Sequence, residues 1–518
     1  MIASSSSSSS VNKEIKILAL GAGQEVGRSC IIVKMGGKTI MLDCGSHPVY
    51  EDQRRFPDFT LIKGDKQSLD DIIDCCLISH FHLDHTGGLP YFTEHVGYSK
   101  PIFMSYPTRD IVPHLLEDYR KLAESKQNER RLMNKDKDDK QAPIYTQQEI
   151  ERCMSKIVPM KYNETKMYNG IEISTYLVGH VLGAELPRCF PNVLITETTY
   201  GTTIRSSRLT KEENFLDAIV STVNKGGKVL IPVFALGRVQ ELCLIADRYW
   251  SQNDMTIPIY YTQGLAARAM PSYRQYTDWM NESVQEQNKI KTEEQRKEEQ
   301  LEYEQWAEAG TAWMHTSGMN ASWNMGDRKT ASIFDYEHVL PYQAQFLHAD
   351  GPMVLFAAPG MLNGGISQDA LRLWGVNERN LVILPGYCAD NTIGGKLLKG
   401  ERDFDVISGQ LQQHTSNYGR EKNRSKSPSQ KYDKRDIRRD HIDTIHIKCP
   451  VLCLPFSAHA DALGLAMIVQ QTMPDTVALV HGELDRISYL QNTVFPLIGC
   501  PCYSPQIGIE CKISIPEQ

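Results

Sequence analysis

A chain of 518 residues is too long for one compact core, and length alone suggests two or three domains. Its 41% apolar and 23% charged residues are those of an ordinary globular protein. The formal charge of −7 excludes a protein that grips nucleic acid by bulk positive charge, though not one whose cations line a single cleft.

Residues 1–12 carry serines 4 to 10 in a row and read as a disordered low-complexity tail. They lack the apolar stretch of a secretory signal, and no apolar run nears the roughly 18 residues of a spanning helix. The 13 cysteines are odd in number, scattered and without a C-x-x-C pair, which predicts buried thiols in a reducing, intracellular compartment. From residue 15 onward, short branched runs at 15–20, 31–34, 39–43, 72–79, 101–104 and 171–178 predict strands. Helical patterns fall between them at 114–122 and 147–157, so the expectation is an α/β layered fold.

A second α/β pattern starts near residue 209. It has a helix at 215–223, a strand at 229–234, a helix at 238–249 and strands at 257–261, 353–358 and 381–384. Strands at 445–454 and 476–481 follow. Two stretches break the pattern: 281–330, rich in Gln, Glu and Lys and then in Met, Trp, Gly and Asn, and 413–440, basic with few apolar residues. Both are expected as surface insertions, the second disordered. The resulting division is a tail at 1–12, a first domain at 13–208, a second at 209–444, a return segment at 445–500 and a truncated tail at 501–518.

The chemistry concentrates in Ile78-Ser-His80-Phe-His82-Leu-Asp84-His85-Thr-Gly-Gly. Imidazole and carboxylate suit zinc, and in an extended chain residues i and i+2 point the same way, so His80 and His82 can grip one metal. The chain then turns, and Asp84 with His85 faces a second position. His180, Asp43, His459 and His481 each sit at or near a predicted strand end. Taken singly they could be loop or turn residues; together they form one constellation. Gly21-Ala-Gly23-Gln-Glu-Val-Gly27 imitates a dinucleotide loop, but its third glycine comes one position late and no ribose-binding acid follows. A turn beside the metal layer is the better reading.

This set resembles the β-CASP branch of the metallo-β-lactamase nucleases. The resemblance implies an αββα sandwich with an inserted α/β β-CASP domain. It also implies that His80, His82 and His180 hold one zinc and that Asp84, His85 and His481 hold another. Asp43 would orient a ligand from behind, and His459, positioned by Glu197, would protonate the leaving group. RNA would be cut by metal-activated hydroxide, with Asp84 shared between metal binding and catalysis and Arg238 touching phosphate. A histidine at 481 is similar to the members that act on RNA. Stretches at 20–30, 55–59, 115–121, 230–238, 359–362 and 384–388 are similar to the endonuclease family of the Integrator complex, which processes snRNA 3′ ends. The expected partners are therefore RNA, a paralogous β-CASP subunit and other Integrator subunits, in the nucleus with a cytoplasmic pool.

One departure matters. The family's bridging aspartate, in a Tyr-Thr-Gly-Asp type of segment, should lie between His180 and Glu197, yet only Val181 to Thr196 separate them. Glu185 is the sole acid in that gap. Two dications about 4 Å apart repel by something on the order of 16 kcal/mol at an effective dielectric near 20, and one anionic ligand that would offset this is missing. The chain is thus expected to hold one zinc tightly and the second weakly, and the alternative function is a catalytically impaired β-CASP scaffold of an RNA 3′-processing complex.

Overall fold

The computed structural model describes residues 14–515 apart from 48, 65–67, 133–143, 177–188, 205–207, 263, 281–283, 295–296, 298–331, 387, 389–391, 408–441 and 457–458. The predicted tail at 1–12, the basic insertion at 413–440, His180 and Glu185 lie outside the described residues. The chain divides into two compact units, 1–205 with 271–285 and 458–518, and 206–270 with 286–457.

The first unit is built on a seven-stranded sheet. Its strands run in the order Cys511–Ser514, Glu14–Gly21, Cys30–Met35, Lys38–Leu42, Cys75–Leu77, Ile102–Ser105 and Ile157–Met160. The first four are antiparallel neighbours, and from Lys38–Leu42 onward the pairing is parallel. One face carries Leu18, Leu20, Ile32 and Met41 against Leu69, Ile73, Phe92 and Cys153 of the covering helical segments. The other face buries Ile17, Ile31 and Val33 under Ala478 and Val480 of a three-stranded parallel sheet, Cys502–Tyr503, Thr476–Val480 and Val193–Glu197. Farther along that face, Cys75, Phe103 and Met160 meet Ile171 and Ile173 of the hairpin Thr165–Tyr168 and Ile171–Ser174. The helix Ala462–Thr472 and the segment around Phe495 close the outer side of the three-stranded sheet. Two sheets between helical layers make the four-layer αββα sandwich.

The second unit is a six-stranded, all-parallel sheet: Val339–Pro341, Ile259–Tyr261, Met353–Ala357, Lys228–Pro232, Leu381–Leu384 and Val451–Cys453. Its central strands, Met353–Ala357, Lys228–Pro232 and Leu381–Leu384, are buried on both faces, as the middle of a parallel sheet requires. Helices Arg208–Asn224 and Arg238–Gln252 cover one side, with Trp250 fully buried and donating its indole N–H to the Ile257 carbonyl at 2.7 Å. Helix Gly365–Trp374 covers the other.

Several predicted elements differ in extent. The run at 72–79 splits into a helical turn, Leu69–Ile72, and a strand confined to Cys75–Leu77. Ser79 leaves the ladder because its amide donates to the Asp43 carboxylate instead. The helix predicted at 147–157 stops at Met154, since Pro159 and two branched residues continue as the strand Ile157–Met160. The strand at 171–178 is seen only to Ser174. The run at 445–454 breaks near Pro450 into Ile442–His446 and Val451–Cys453, and the latter joins the second unit's sheet, so the chain returns to the first unit at 458. Within residues 501–515 the strands Cys502–Tyr503 and Cys511–Ser514 pair with Thr476–Val480 and Glu14–Gly21 respectively.

Candidate metal centre

The residues of the centre lie in the first unit. The strand Lys38–Leu42 delivers Asp43 in a left-handed conformation, φ 60°, which swings its carboxylate toward the next strand's exit. One oxygen accepts the Ser79 amide at 2.7 Å, and the other accepts from the Ser79 hydroxyl at 2.9 Å and meets His85 Nδ1 at 2.8 Å. A carboxylate on Nδ1 fixes the tautomer and leaves His85 Nε2 as the ligand atom. The short helix Leu83–Thr86 carries Asp84 and His85. Gly45 is indispensable to this packing: a Cβ there would stand 1.7 Å from the Asp84 carbonyl oxygen. Gly45→Ala should therefore displace the loop and cost at least about 3 kcal/mol of stability, read as a lowered thermal midpoint together with lost metal uptake.

His481 follows the buried strand Thr476–Val480 and is also left-handed, φ 52°. Its amide donates to the Ala22 carbonyl at 2.8 Å, so the Gly21-Ala-Gly23 turn braces the centre. Its Nδ1 lies 3.1 Å from the Thr199 hydroxyl and its Nε2 lies 3.2 Å from Asp84 Oδ2. His85 Nε2 stands 3.8 Å from the same oxygen. Asp84, His85 and His481 thus offer ligand atoms all within 4.8 Å of one another. Two imidazoles and one carboxylate are a donor set that zinc accepts. Among the described residues this is the one group of three such side chains. His80 Nε2 and His82 Nδ1 are 2.9 Å apart, and the His80 and His85 rings are 4.1 Å apart, so all three imidazoles of the motif face one place.

Burial alone would raise the Asp84 carboxyl, but His85, His481 and His82 hold it well below the usual carboxylate range. His85 shows the reciprocal effect: burial disfavours its charge, yet the Asp43 and Asp84 carboxylates lift it to about 9. Beside them, Glu197 ends its strand with one oxygen 3.1 Å from His459 Nδ1 and accepting the Thr199 amide at 2.8 Å. Against the opposing effect of burial, His459 holds the Glu197 carboxyl down to about 2. The His459 and His481 rings are 6.1 Å apart.

His80, His85, Glu197, His459 and His481 are among the residues that line a cavity of about 800 Å³. Its apolar wall includes Ile31, Leu42, Leu77 and Phe103 from the seven-stranded sheet. Ile173 on one side and Ile195 on the other also face it. Among the described residues, Ile171–Ser174 pairs only with Thr165–Tyr168, and Val193–Glu197 only with Thr476–Val480. The second layer is thereby in two separate sheets among the described residues. Arg238 opens a helix of the second unit and pairs with Glu241. Sequence reasoning passed over Ser79 and Thr199, which lie within or beside the motifs but signal nothing by spacing, because their partners are 36 and 282 residues away.

If Asp43 orients His85, Asp43→Asn should keep the fold while weakening zinc affinity by roughly 10–100-fold, measured by competition with a chelating dye. Unchanged affinity would remove Asp43 from the centre.

The αββα sandwich, its intervening parallel-sheet unit and the imidazole–carboxylate cluster define a metallo-β-lactamase-type protein with a β-CASP insert. Family models agree: Metallo-beta-lactamase superfamily over residues 23–125, Beta-Casp domain over 239–397 and Zn-dependent metallo-hydrolase RNA specificity domain over 444–498. The chain belongs to the Integrator complex subunit 11 family. It is 39% identical to the Integrator complex subunit 11 homolog of Dictyostelium discoideum, over 96% of this chain and 61% of that relative. With Integrator complex subunit 11 of Gallus gallus the identity is 36%, over 96% of this chain and 73% of that relative. Cleavage and polyadenylation specificity factor subunit 3-II of Arabidopsis thaliana is 33% identical, over 95% of this chain and 72% of its own length.

Proposed function

We propose that this chain is a zinc-dependent RNA endonuclease subunit of an Integrator-type complex, hydrolysing phosphodiester bonds of nascent RNA in snRNA 3′-end processing. The observation that carries this reading is the Asp84 carboxylate oxygen within 3.8 Å of both His85 Nε2 and His481 Nε2, together with the Glu197–His459 pair. Asp84, His85 and His481 would hold one zinc, and His80 and His82, with His180, would hold another. Bound zinc supplies an acidified water and positive charge for a phosphate. Asp43 and Ser79 keep the motif histidines aimed inward. Glu197, whose carboxylate lies 3.1 Å from His459 Nδ1, sets that imidazole to give a proton from Nε2 to the leaving 3′ oxygen. Arg238 remains a candidate phosphate contact. Partners are RNA, a paralogous β-CASP subunit and other Integrator subunits, in the nucleus with a cytoplasmic pool. A zinc-dependent cleavage assay on single-stranded RNA tests this: chelation should abolish cleavage and His82→Ala should not cleave. Cleavage that survives His82→Ala would refute the site.

A second reading, a catalytically impaired scaffold in the same assembly, is favoured by one observation. Only Val181 to Thr196 separate His180 from Glu197, with no Tyr-Thr-Gly-Asp type of segment among them, and among the described residues Ile171–Ser174 and Val193–Glu197 belong to separate sheets. It expects one tight zinc per chain and feeble cleavage. Two tightly held zinc ions in metal analysis would overturn it.

A further inference from the structure

Beside the metal loop stands a layered cluster that neither the motif nor the mechanism uses. His47 and Tyr50 have ring centroids 4.3 Å apart with planes 31° from parallel. The Arg54 guanidinium carbon lies 4.8 Å from the Tyr50 ring centre, and that of Arg28 lies 5.8 Å from it. Two backbone bonds tie this cluster to the metal loop. The Ser29 amide, next to Arg28, donates to the Asp84 carbonyl at 2.8 Å, and the Ser46 amide, next to His47, donates to the Leu83 carbonyl at 2.8 Å. Arg28 also donates to the Arg54 carbonyl at 3.1 Å, closing the cluster on itself.

Charge alone would suggest a phosphate contact, but the hydrogen bonds argue otherwise. Asp52 takes Arg54 Nε and Nη2 at 2.7–3.0 Å, and Glu25 takes Arg28 Nε at 2.6 Å. The Nε–Nη2 edge of Arg54 and the Nε of Arg28 are therefore occupied by carboxylates, which would also repel a phosphate. What remains is the flat face. The Arg54 side chain is 69% exposed, so the Tyr50–Arg54 stack ends in a solvent-facing planar cation. Planar guanidinium and aromatic faces are what unpaired nucleobases stack on. We infer that His47, Tyr50 and Arg54 form a stacking platform for one base of single-stranded RNA next to the metal centre. This inference rests on the RNA reading above.

The test uses the full chain and a phosphorothioate-linked oligouridylate, which resists hydrolysis, with binding read by fluorescence anisotropy. Arg54→Ala and Tyr50→Ala should each weaken binding roughly 10-fold, the scale of one lost base stack. Arg54→Lys, which keeps the charge but not the plane, should lose as much. The double variant should lose little more than either alone, because one stack is broken in both cases. An oligomer of the same length made of abasic units should bind wild type and variants alike. Full binding by Arg54→Lys, or equal losses with the abasic oligomer, would overturn the inference, as would variants that bind RNA normally but lose a protein partner. Failure of the wild-type chain itself to bind the oligouridylate would sink the RNA reading, and the platform with it.

Discussion

Asp84→Asn should lower zinc affinity at the Asp84–His85–His481 group by about a thousandfold while leaving the fold intact. His85 and His481 are neutral when they ligate, so Asp84 supplies the negative charge of this group. A dication and a carboxylate about 4 Å apart attract by something on the order of 8 kcal/mol at an effective dielectric near 20. Losing half of that, with the amide oxygen still a weak ligand, is about three decades in affinity. The fold should survive because Asp84 is partly exposed and its backbone, which holds Ser29, is unchanged. Competition with a chelating dye gives the affinity and circular dichroism checks the fold. RNA cleavage should fall with the metal. An Asp84→Asn chain that binds zinc as wild type would place the metal elsewhere and remove the carrying observation of the proposed function.

How much of this centre could be read without coordinates depends on sequence distance. The run from His80 to His85 is dense enough that its residue types alone imply a metal, and the structure gathers its three imidazoles within ring-contact distance. Asp43 and His481 are legible only as polar residues ending apolar strands. Asp43 meets His85 because two neighbouring strands of one sheet run parallel, and His481 meets Asp84 because a second sheet packs against the first, across 42 and 397 residues respectively. Local patterns fare well where both faces of a strand are buried, as in Leu381–Leu384, which coincides with its apolar run. They fail where a side chain competes for a backbone amide, as Asp43 does at Ser79, or where proline interrupts a run, as at Pro159 and Pro450. The Tyr50 platform had no signature at all. Its residues, His47, Tyr50 and Arg54, follow the strand Lys38–Leu42 without a regular spacing, and only the fold stacks them.

The same charges predict how zinc uptake responds to pH. Against the opposing effect of burial, Asp43 and Asp84 lift His85 to about 9, so in the metal-free chain this imidazole carries a proton at neutral pH. Zinc must displace that proton to bind Nε2. Affinity should therefore rise close to tenfold per pH unit from about 6.5 to about 9 and level off above, with a proton released for each ion taken up. Stability of the metal-free chain should move the other way. A histidine whose folded value lies above its unfolded value of 6.5 stabilises fully below 6.5, and that contribution is lost as pH climbs through about 9. Asp84 lies far below this window, so its titration adds no slope within it. The metal-free chain should thus melt at lower temperature at pH 9 than at pH 6.5, and the gap between zinc-saturated and metal-free melting points should widen over the same range. Asp43→Asn removes one of the two carboxylates that lift His85, so its affinity should level off at a lower pH than wild type. Zinc affinity that stays flat from pH 6.5 to 9, or an Asp43→Asn profile superimposable on wild type, would mean that His85 is not the proton-bearing ligand of this centre.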